Sequence, residues 1–422
     1  MAALSIAASS QAAAAGFEVW LVDQSNSAGT FGGKIHIFEG DSLMGSDAQN
    51  AQPTDIIDLG QATSSLCFAS TGVNPVRPHM LFFNSTHSHA VLSFVVSGHV
   101  VIFDARTRAP VSCLRASAGV GGARQAHAAI PAPDDSYILV ANQNGKLLER
   151  IDANYAAGTF TLNSAATVNL ATCTTPNGAP CQSAALRPDN APICPVVDGS
   201  SSLSFVTLRG GGLFVVNPRA TPMEIIAEYD RSTIHPNGCG GTQAGGSIYL
   251  TSGGGTATNL HEFDVYQFPL RGYSASNPAN TPAPTVVFSD DVGNRDAHGT
   301  LGTKHDRYLW VFDRLANVAE IFDVATGERQ PAMNLVNPDS ADPSPDLAVL
   351  SPAGNRIFVS LRGGIPLSGD PHASTGSSPG MAVIQVNEGG RSGEIKAVVR
   401  VSNVDSAGVE RADPHGIGLR RK

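Results

Sequence analysis

A repeated strand pattern is the feature of this chain that most constrains its fold. In each copy a His, Cys or Asp precedes a strand of small residues, and a strand rich in β-branched or aromatic residues follows after a turn. Short alternating segments between Gly, Asn, Asp and Pro indicate many short strands, and helical periodicity is almost absent. Self-similarity of this kind is typical of four-stranded sheets arranged around one axis.

Six copies can be read along the chain, and its two ends supply a seventh. The six copies begin at RPHMLFF, QAHAAIP, APICPVV, HPNGCGG, DAHGTLG and SPDLAVL. The early segments FEVWLVD, KIHIFEG and DIIDLG match second, third and fourth strands, whereas the final DPHGIGL matches a first strand. We therefore predict an all-β fold, a single seven-bladed β-propeller over residues 17–422 closed by the C-terminal strand, which removes the open edge of the array.

The first 16 residues, MAALSIAASSQAAAAG, precede the first predicted strand. Their small residues resemble the end of a secretory signal peptide, although a basic segment is missing and the apolar segment is short. We interpret residues 1–16 as a signal-peptide remnant or, alternatively, as a disordered tail. The sequence contains no other apolar run of about 18 residues, so we predict no membrane span.

The six cysteines, an even number, favour an oxidising compartment and therefore a periplasmic or secreted protein. Cys173 and Cys181 bracket a turn rich in Pro, Asn and Gly, and they are the pair that we most expect to form a disulfide. Two further pairings stay open: Cys67 with Cys113, and Cys194 with Cys239. Spacing does not fix these pairings, and a free thiolate could bind a metal instead.

Charge and motifs argue against several classes of function. The formal net charge is −9, and the largest basic cluster is the terminal Arg420-Arg421-Lys422. Nucleic-acid binding therefore has little electrostatic support. The one GxSxG string, GSSPG at 376–380, lies in a Gly/Pro/Ser-rich insertion rather than in a strand–turn–helix elbow. A strand–GxGxxG–helix segment is also lacking, so neither an α/β-hydrolase nor a dinucleotide site is predicted.

One position of the repeat carries most of the candidate site residues. The first strand of each propeller blade lines the central channel, so equivalent residues of the copies form a ring around the axis. In order, this position holds His79, His127, Cys194, His235 or Cys239, His298, Asp346 and His415. Because the chain has only 12 His in 422 residues, this concentration favours convergent imidazoles that bind copper, zinc or iron. Structural histidines that hydrogen-bond to neighbouring backbone are the alternative.

A few residues outside this position are further candidates. His87 and His89, in the segment HSH, would lie on one face of a strand and could add metal ligands at the other rim. Arg362, in the repeated segment LRGG, could reach a substrate anion or pair with a neighbouring blade. Asp296 and Asp413 stand two residues before a His, where they could orient the imidazole or cap a turn.

The segments xPHG or xAHx, followed by YILV or YLWV, resemble those of the YVTN/NHL-type seven-bladed propellers. The resemblance covers nearly the whole chain from about Phe17. Within that group, a ring of channel histidines is similar to the copper propellers of nitrous oxide reductase and thiocyanate dehydrogenase. The resemblance implies these copper ligands: His79, His127, His298 and His415, with His235, His87 and His89 as additions.

The resemblance also has limits, and it leaves three functions open. We expect no cupredoxin domain after the closing strand, and the histidine ring is less complete, so nitrous oxide reduction is not expected. The resemblance implies a copper-dependent oxidoreductase that acts on a small substrate and exchanges electrons with a separate protein. A lyase or lactonase that uses a channel His with Ca²⁺ or Mg²⁺ is an alternative. A non-catalytic binding scaffold is another.

Overall fold

The computed structural model describes residues 16–25, 32–253, 262–290, 292, 294–367 and 374–422. These residues form seven antiparallel four-stranded sheets, which are the blades of the propeller. The predicted all-β, seven-bladed fold is confirmed. The predicted signal-peptide segment falls almost entirely on residues 1–15, which lie outside the described residues.

The strands follow the order in which the chain builds the blades. Blade 1 contains β1 (Phe17–Asp23), β2 (Lys34–Glu39) and β3 (Asp55–Asp58). Blade 2 contains β4 (Pro78–Phe83), β5 (His89–Phe94), β6 (His99–Asp104) and β7 (Pro110–Arg115). Blade 3 contains β8 (Ala126–Pro131), β9 (Tyr137–Asn142), β10 (Leu147–Asn154) and β11 (Thr159–Asn169). Blade 4 contains β12 (Pro192–Val197), β13 (Ser204–Leu208), β14 (Leu213–Asn217) and β15 (Glu224–Tyr229).

The remaining blades follow the same plan. Blade 5 contains β16 (Gly241–Ala244), β17 (Ser247–Gly253), β18 (Phe263–Pro269) and β19 (Thr285–Asp290). Blade 6 contains β20 (Ala297–Gly302), β21 (Tyr308–Asp313), β22 (Val318–Asp323) and β23 (Arg329–Asn334). Blade 7 contains β24 (Pro345–Leu350), β25 (Arg356–Leu361), β26 (Gly380–Asn387) and β27 (Ser392–Arg400). The last strand, β28 (Pro414–Arg421), returns to blade 1.

Closure of the ring depends on the pairing of β28 with β1. The two strands are antiparallel, with Trp20 opposite Gly418 and Phe17 opposite Arg421. Strand β28 therefore becomes the inner strand of blade 1, as the C-terminal DPHGIGL predicted. This pairing gives the first and last segments of the propeller a common sheet, so no blade is left with an open inner edge.

Packing between blades explains why the second strands read as continuous apolar runs. All six residues of β21, YLWVFD, are buried, because each face of this strand packs on another sheet. The core between blades 6 and 7 joins Trp310 and Phe312 to Ile357 and Val359. The outermost strands are more exposed, as in β19, where none of the six residues is fully buried. The apolar core therefore lies between blades rather than within a single sheet.

Two short helices in blade 1 were not predicted by the sequence pattern: α1 (Gly40–Met44) and α2 (Ala62–Thr71). Helix α2 carries one cysteine of the first of three disulfides: Cys67–Cys113, Cys173–Cys181 and Cys194–Cys239. All three pairings agree with those considered from the sequence. Among the described residues, no helix is both long enough and apolar enough to cross a lipid bilayer.

Candidate metal centre

A backbone irregularity marks the repeated channel position. In blade 2, His79 and Met80 together face a single residue of the neighbouring strand, Ser93, because the register shifts between Pro78 and Leu81. Inner strands of five other blades show a shift at the equivalent place. A β-bulge re-aims a side chain locally and is common next to functional sites. The shared bulge therefore turns the repeated position towards the channel in six blades.

Four of the predicted histidines meet in the channel, and all four are almost completely buried: His79, His127, His298 and His415. The rings of His79 and His127 have centroids 4.6 Å apart, and those of His79 and His415 are 3.8 Å apart. The rings of His298 and His415 follow at 5.5 Å. The structure thus brings together residues from four blades that are up to 336 positions apart (415 − 79) in the chain.

The surroundings of His79 and His127 favour a proton on each Nδ1 atom. Nδ1 of His127 lies 3.1 Å from the carbonyl oxygen of Ile193, and Nδ1 of His79 lies 3.3 Å from Oε1 of Gln24. Each oxygen can accept a hydrogen bond from the ring, and in that tautomer Nε2 is the nitrogen that can bind a metal. These two Nε2 atoms are only 3.3 Å apart. The arrangement aims the Nε2 atoms of two imidazoles at one point between them.

A second group of donors lies beside the first. Oδ1 of Asp346 is 3.1 Å from Nε2 of His298, and Oδ2 is 3.7 Å from Nε2 of His415. Ligand atoms of these three buried residues lie within 4.8 Å of one another. His415 Nδ1 is a buried polar atom that makes no hydrogen bond within the part of the chain that the structure describes, and Asp346 Oδ1 meets His298 at ion-pair distance without the geometry of a hydrogen bond. Buried polar atoms are normally paired, so these two make the position a candidate for a bound ion, an ordered water or a substrate group.

Two arginines hold Asp346 from the opposite side. Nη1 of Arg362 is 3.2 Å and Nη1 of Arg314 is 3.8 Å from Asp346 Oδ2. Arg362 also makes a bidentate pair with Asp413 at 2.7 and 2.9 Å, and Arg314 pairs with Asp296 at 2.8 Å. Arg362 therefore bridges blade 7 to blade 1, the second of the two roles considered from the sequence. The two aspartates position arginines rather than imidazoles.

Burial and neighbouring charges shift the pKa values of His415 and Asp346. Burial, reinforced by His79, His298 and the two arginines, lowers the pKa of His415 well below its usual value. Burial raises the pKa of Asp346, and the positive charges of Arg314 and Arg362 oppose this shift. A neutral His415 keeps its nitrogen lone pair available to a metal ion even in mildly acidic solution.

Glycines that follow the histidines of the repeated position allow neighbouring inner strands to pack closely. An added Cβ on Gly416, which follows His415, would lie 2.3 Å from the carbonyl oxygen of His79. On Gly299, which follows His298, it would lie 2.1 Å from the carbonyl oxygen of Asp346. The dipeptide His-Gly therefore places a donor in the channel and lets the next blade approach. The dipeptide is visible in the sequence, whereas its steric role depends on the packing of neighbouring blades.

The remaining predicted ligands lie in other surroundings. Nδ1 of His235 is 2.9 Å from Asp264 Oδ2 and 3.3 Å from Glu262 Oε2, and its side chain is 39% exposed. His87 lines the apolar cavity described below, and burial lowers its pKa. His89 packs against Tyr155 and Phe160. These three histidines are not seen in contact with the four central rings, so their ligation remains a sequence prediction.

The sequence pattern places Cys194 and Cys239 at the repeated position of blades 4 and 5. In the structure Ile193 rather than Cys194 corresponds to His79, because the register shift falls between Pro192 and Pro195 and leaves Cys194 equivalent to Met80. The two cysteines form a disulfide. Their sulfurs are therefore not thiolate ligands in this structure. Gln24, Arg77 and Arg314 were missed by the sequence reasoning. Arg77 donates to Oε1 of Gln24 at 3.1 and 3.2 Å, which fixes the amide that faces His79. Arg314 and Arg362 both follow directly after a second strand, a shared position that could have identified Arg314.

A cavity of about 530 Å³ adjoins the histidines along the channel. Its walls are mainly apolar side chains of the inner strands, including Met80, Phe82, Val196, Val349 and Ile417. The disulfide Cys194–Cys239 also lines it. A cavity of this size and polarity accommodates a small molecule.

Comparisons with known proteins identify the fold and leave the activity open. No protein-family model matches the chain, and no curated protein matches it in sequence. The periplasmic gluconolactonase of Pseudomonas aeruginosa is similar in structure, with a TM-score of 0.59 and 13% identity, covering 96% of this chain and 99% of that chain. A putative 6-phosphogluconolactonase of Bacteroides fragilis has a TM-score of 0.58 and 11% identity, covering 96% of this chain and 98% of that chain. Hydrazine synthase of Kuenenia stuttgartiensis has a TM-score of 0.50 and 13% identity, covering 73% of this chain and 76% of that chain.

At sequence identities of 11–13%, structural similarity shows a shared fold and nothing more. It is consistent with the YVTN/NHL-type propeller that the sequence resembles. The activities of these neighbours are not transferred by a shared architecture, because one fold carries many functions. Any function of this chain has to be argued from the channel residues themselves.

Proposed function

We propose that this protein is an exported metalloprotein that binds copper in its channel and acts as an oxidoreductase on a small substrate. The proposed ligands are residues of the central cluster: His79, His127, His298, His415 and Asp346. The observation that carries the proposal is the 3.3 Å approach of the two Nε2 atoms, each in a ring whose Nδ1 faces an oxygen. Two ring nitrogens at this distance share either a proton or a cation.

The geometry of this pair suits a first-row transition metal. With metal–nitrogen bonds of about 2.0–2.1 Å, tetrahedral geometry places two nitrogen ligands about 3.3 Å apart. The separation of the His79 and His127 Nε2 atoms agrees with this value. The two buried atoms without hydrogen bonds, Asp346 Oδ1 and His415 Nδ1, supply further donors or hydrogen-bond partners beside it.

The donor set separates copper from the alkaline-earth alternative. Imidazole nitrogen suits copper, zinc and iron, whereas Ca²⁺ requires six to eight oxygen ligands and Mg²⁺ prefers octahedral oxygen. Asp346 is the carboxylate among the central donors, and Arg314 and Arg362 already neutralise part of its charge. The cluster therefore favours a transition metal over Ca²⁺ or Mg²⁺.

The protein groups would bind and orient the substrate around this centre. Copper, when bound, would supply one-electron exchange, with a separate carrier protein as the source or acceptor of electrons. The mainly apolar walls of the adjoining cavity favour a small, weakly polar substrate. The three disulfides support export to an oxidising compartment.

Elemental analysis tests the proposal directly. Wild-type protein purified from an oxidising compartment is compared with the double variants His79→Ala/His127→Ala and His298→Ala/His415→Ala. His305→Ala, at an exposed residue between β20 and β21 and outside the central cluster, is the control. We expect copper in the wild type and the control, and loss of copper with an intact fold in both double variants. A folded wild type that cannot be loaded with copper would contradict the proposal.

A lactonase is the second candidate, favoured by the pair His298–Asp346 at 3.1 Å beside a cavity. Such a pair can act as general base for water that attacks a lactone carbonyl, which opens the ring to a hydroxy acid. Titration of acid released from gluconolactone, with Ca²⁺ or Mg²⁺ present, distinguishes the two candidates. Turnover that His298→Ala abolishes would favour the lactonase. A binding scaffold is indicated if neither copper nor lactone turnover is found.

A further inference from the structure

The disulfide Cys194–Cys239 lies between the apolar cavity and the histidines. It joins the inner strand β12 of blade 4 to Cys239, two residues before β16 of blade 5. Both cysteines line the cavity. Their two Sγ atoms and one ring nitrogen of His127 all lie within 4.8 Å of one another. One side of the disulfide therefore faces space for a small molecule, and the other faces the metal centre.

A third sulfur completes this group. Sδ of Met80 is 4.0 Å from Sγ of Cys194 and 4.0 Å from Sγ of Cys239. Met80 also lines the cavity, directly after His79 in β4. Two potential thiolates, one thioether and one imidazole thus converge from blades 2, 3, 4 and 5. Soft donors of this kind select Cu(I), but disulfide sulfurs lack the charge that makes a thiolate a strong ligand.

We propose that this disulfide is a reducible centre, and that its reduction creates a three-coordinate Cu(I) site formed by Cys194, Cys239 and Met80, beside His127. The reductant is a dithiol that enters the cavity. Its two thiols become a disulfide, while the Cys194–Cys239 bond accepts two electrons and two protons and becomes two thiols. Binding of Cu(I) then displaces the thiol protons. This inference goes beyond the copper centre of the histidine cluster and shares no ligand with it.

The backbone keeps the two cysteines close after the bond is broken. The amide of Cys194 donates to Oγ1 of Thr207 at 3.2 Å, and the same hydroxyl hydrogen-bonds to the carbonyl oxygen of Gly238, next to Cys239. Blades 4 and 5 therefore stay linked without the disulfide. Adjacent apolar space lets the sulfurs separate to the spacing that a shared metal ion requires.

The experiment compares oxidised and dithiothreitol-reduced protein without oxygen, using Cu(I) and a competing coloured chelator. We expect the reduced wild type to bind one Cu(I) more than the oxidised protein, with new near-ultraviolet absorption from thiolate–Cu(I) bonds. Cys194→Ser/Cys239→Ser should lose the additional Cu(I). Met80→Leu, which keeps the volume and removes the sulfur, should weaken it at least about tenfold, since even partners of metal ligands cost roughly 10–100-fold when removed.

Two controls separate this site from other sulfurs and from the histidine centre. Cys173→Ser/Cys181→Ser should retain the additional Cu(I), because that disulfide lies elsewhere. His298→Ala/His415→Ala should lose copper from the histidine centre and still bind the additional Cu(I) after reduction. The inference is overturned if dithiothreitol leaves the channel disulfide intact in the folded protein. It is equally overturned if the additional Cu(I) persists in Cys194→Ser/Cys239→Ser.

Discussion

Nε2 of His79 and Nε2 of His127 lie 3.3 Å apart in a buried channel, and the Nδ1 atom of each ring faces an oxygen. The two residues come from neighbouring blades and are held by Gln24 and by the carbonyl of Ile193. This relationship is the basis of the proposed cation site, because the Nε2 atoms of both rings converge on one point.

Copper should stabilise the wild type through this pair. A ligand present at 100 times its dissociation constant stabilises the native state by about 2.7 kcal/mol. We expect a rise in Tm when copper is added to metal-free wild type, and no rise for His79→Ala/His127→Ala. Thermal unfolding with and without copper measures this difference. If copper still raises the Tm of the double variant, copper binds at a site other than His79 and His127.

Arg362 should contribute far more to stability than the equivalent Arg209. Both residues belong to LRGG segments, but Arg362 is buried and bonded to Asp413 and Asp346, whereas Arg209 is 37% exposed and pairs with Asp189. Arg362→Gln leaves two buried carboxylates without their main partner and should cost roughly 3–5 kcal/mol. Arg209→Gln should cost at most about 1 kcal/mol. Urea unfolding compares the two, and equal losses would contradict this account.

Gly416→Ala should destabilise the closing blade. The new methyl group would lie 2.3 Å from the carbonyl oxygen of His79, so the two inner strands must separate. Overpacking of this kind typically costs about 1–3 kcal/mol. Gly45→Ala is the matched control, because its nearest neighbour would be 3.7 Å away and its φ is −74°. Denaturant unfolding should show a loss for Gly416→Ala and almost none for Gly45→Ala.

The protein should lose stability in acid through its buried neutral histidines. Burial lowers the pKa of His36 to about 4, and both of its ring nitrogens lack hydrogen bonds within the described part of the chain. Between pH 6.5 and 4 the unfolded chain binds a proton that the folded His36 does not. This group therefore costs about 1.4 kcal/mol of stability per pH unit as the pH falls through that window.

The variant His36→Leu isolates this contribution. Asp23 acts in the opposite direction, because burial raises its pKa to about 7 and its protonation favours the folded state as the pH falls from 7 to 4. The pH dependence of the wild type alone therefore mixes the two effects. We expect His36→Leu to gain stability relative to the wild type on going from pH 7 to pH 5. An unchanged difference between these two pH values would show that His36 is not the cause.

The sequence predicts the architecture well because the repeat is regular. Strand alternation, turn residues and the C-terminal DPHGIGL are local features, and they identify seven blades and the closure of the ring. The convergence of His79, His127, His298 and His415 followed from the same regularity, since equivalent positions of a propeller meet at its axis. The disulfide Cys173–Cys181 is the pair most expected from the sequence, whereas the other two pairings were left open there because spacing does not fix them.

Other features depend on contacts between distant segments. The bulge at the repeated position is a property of strand pairing, and a one-residue shift leaves no trace in composition. The roles of Gln24 and Arg314 arise only when neighbouring blades pack together. His235 shows the limit of the repeat, because an equivalent position in the sequence lies beside Glu262 and Asp264 rather than with the four central rings.

X-ray absorption of copper-loaded, oxidised wild-type protein tests the central proposal most directly. The account predicts one class of copper ligated by at least two imidazoles, with light-atom neighbours at about 2.0 Å and no sulfur at about 2.3 Å, because the channel sulfurs are then in a disulfide. Failure to bind copper, or a copper site without imidazole scattering, would contradict the assignment of the channel histidines as its ligands.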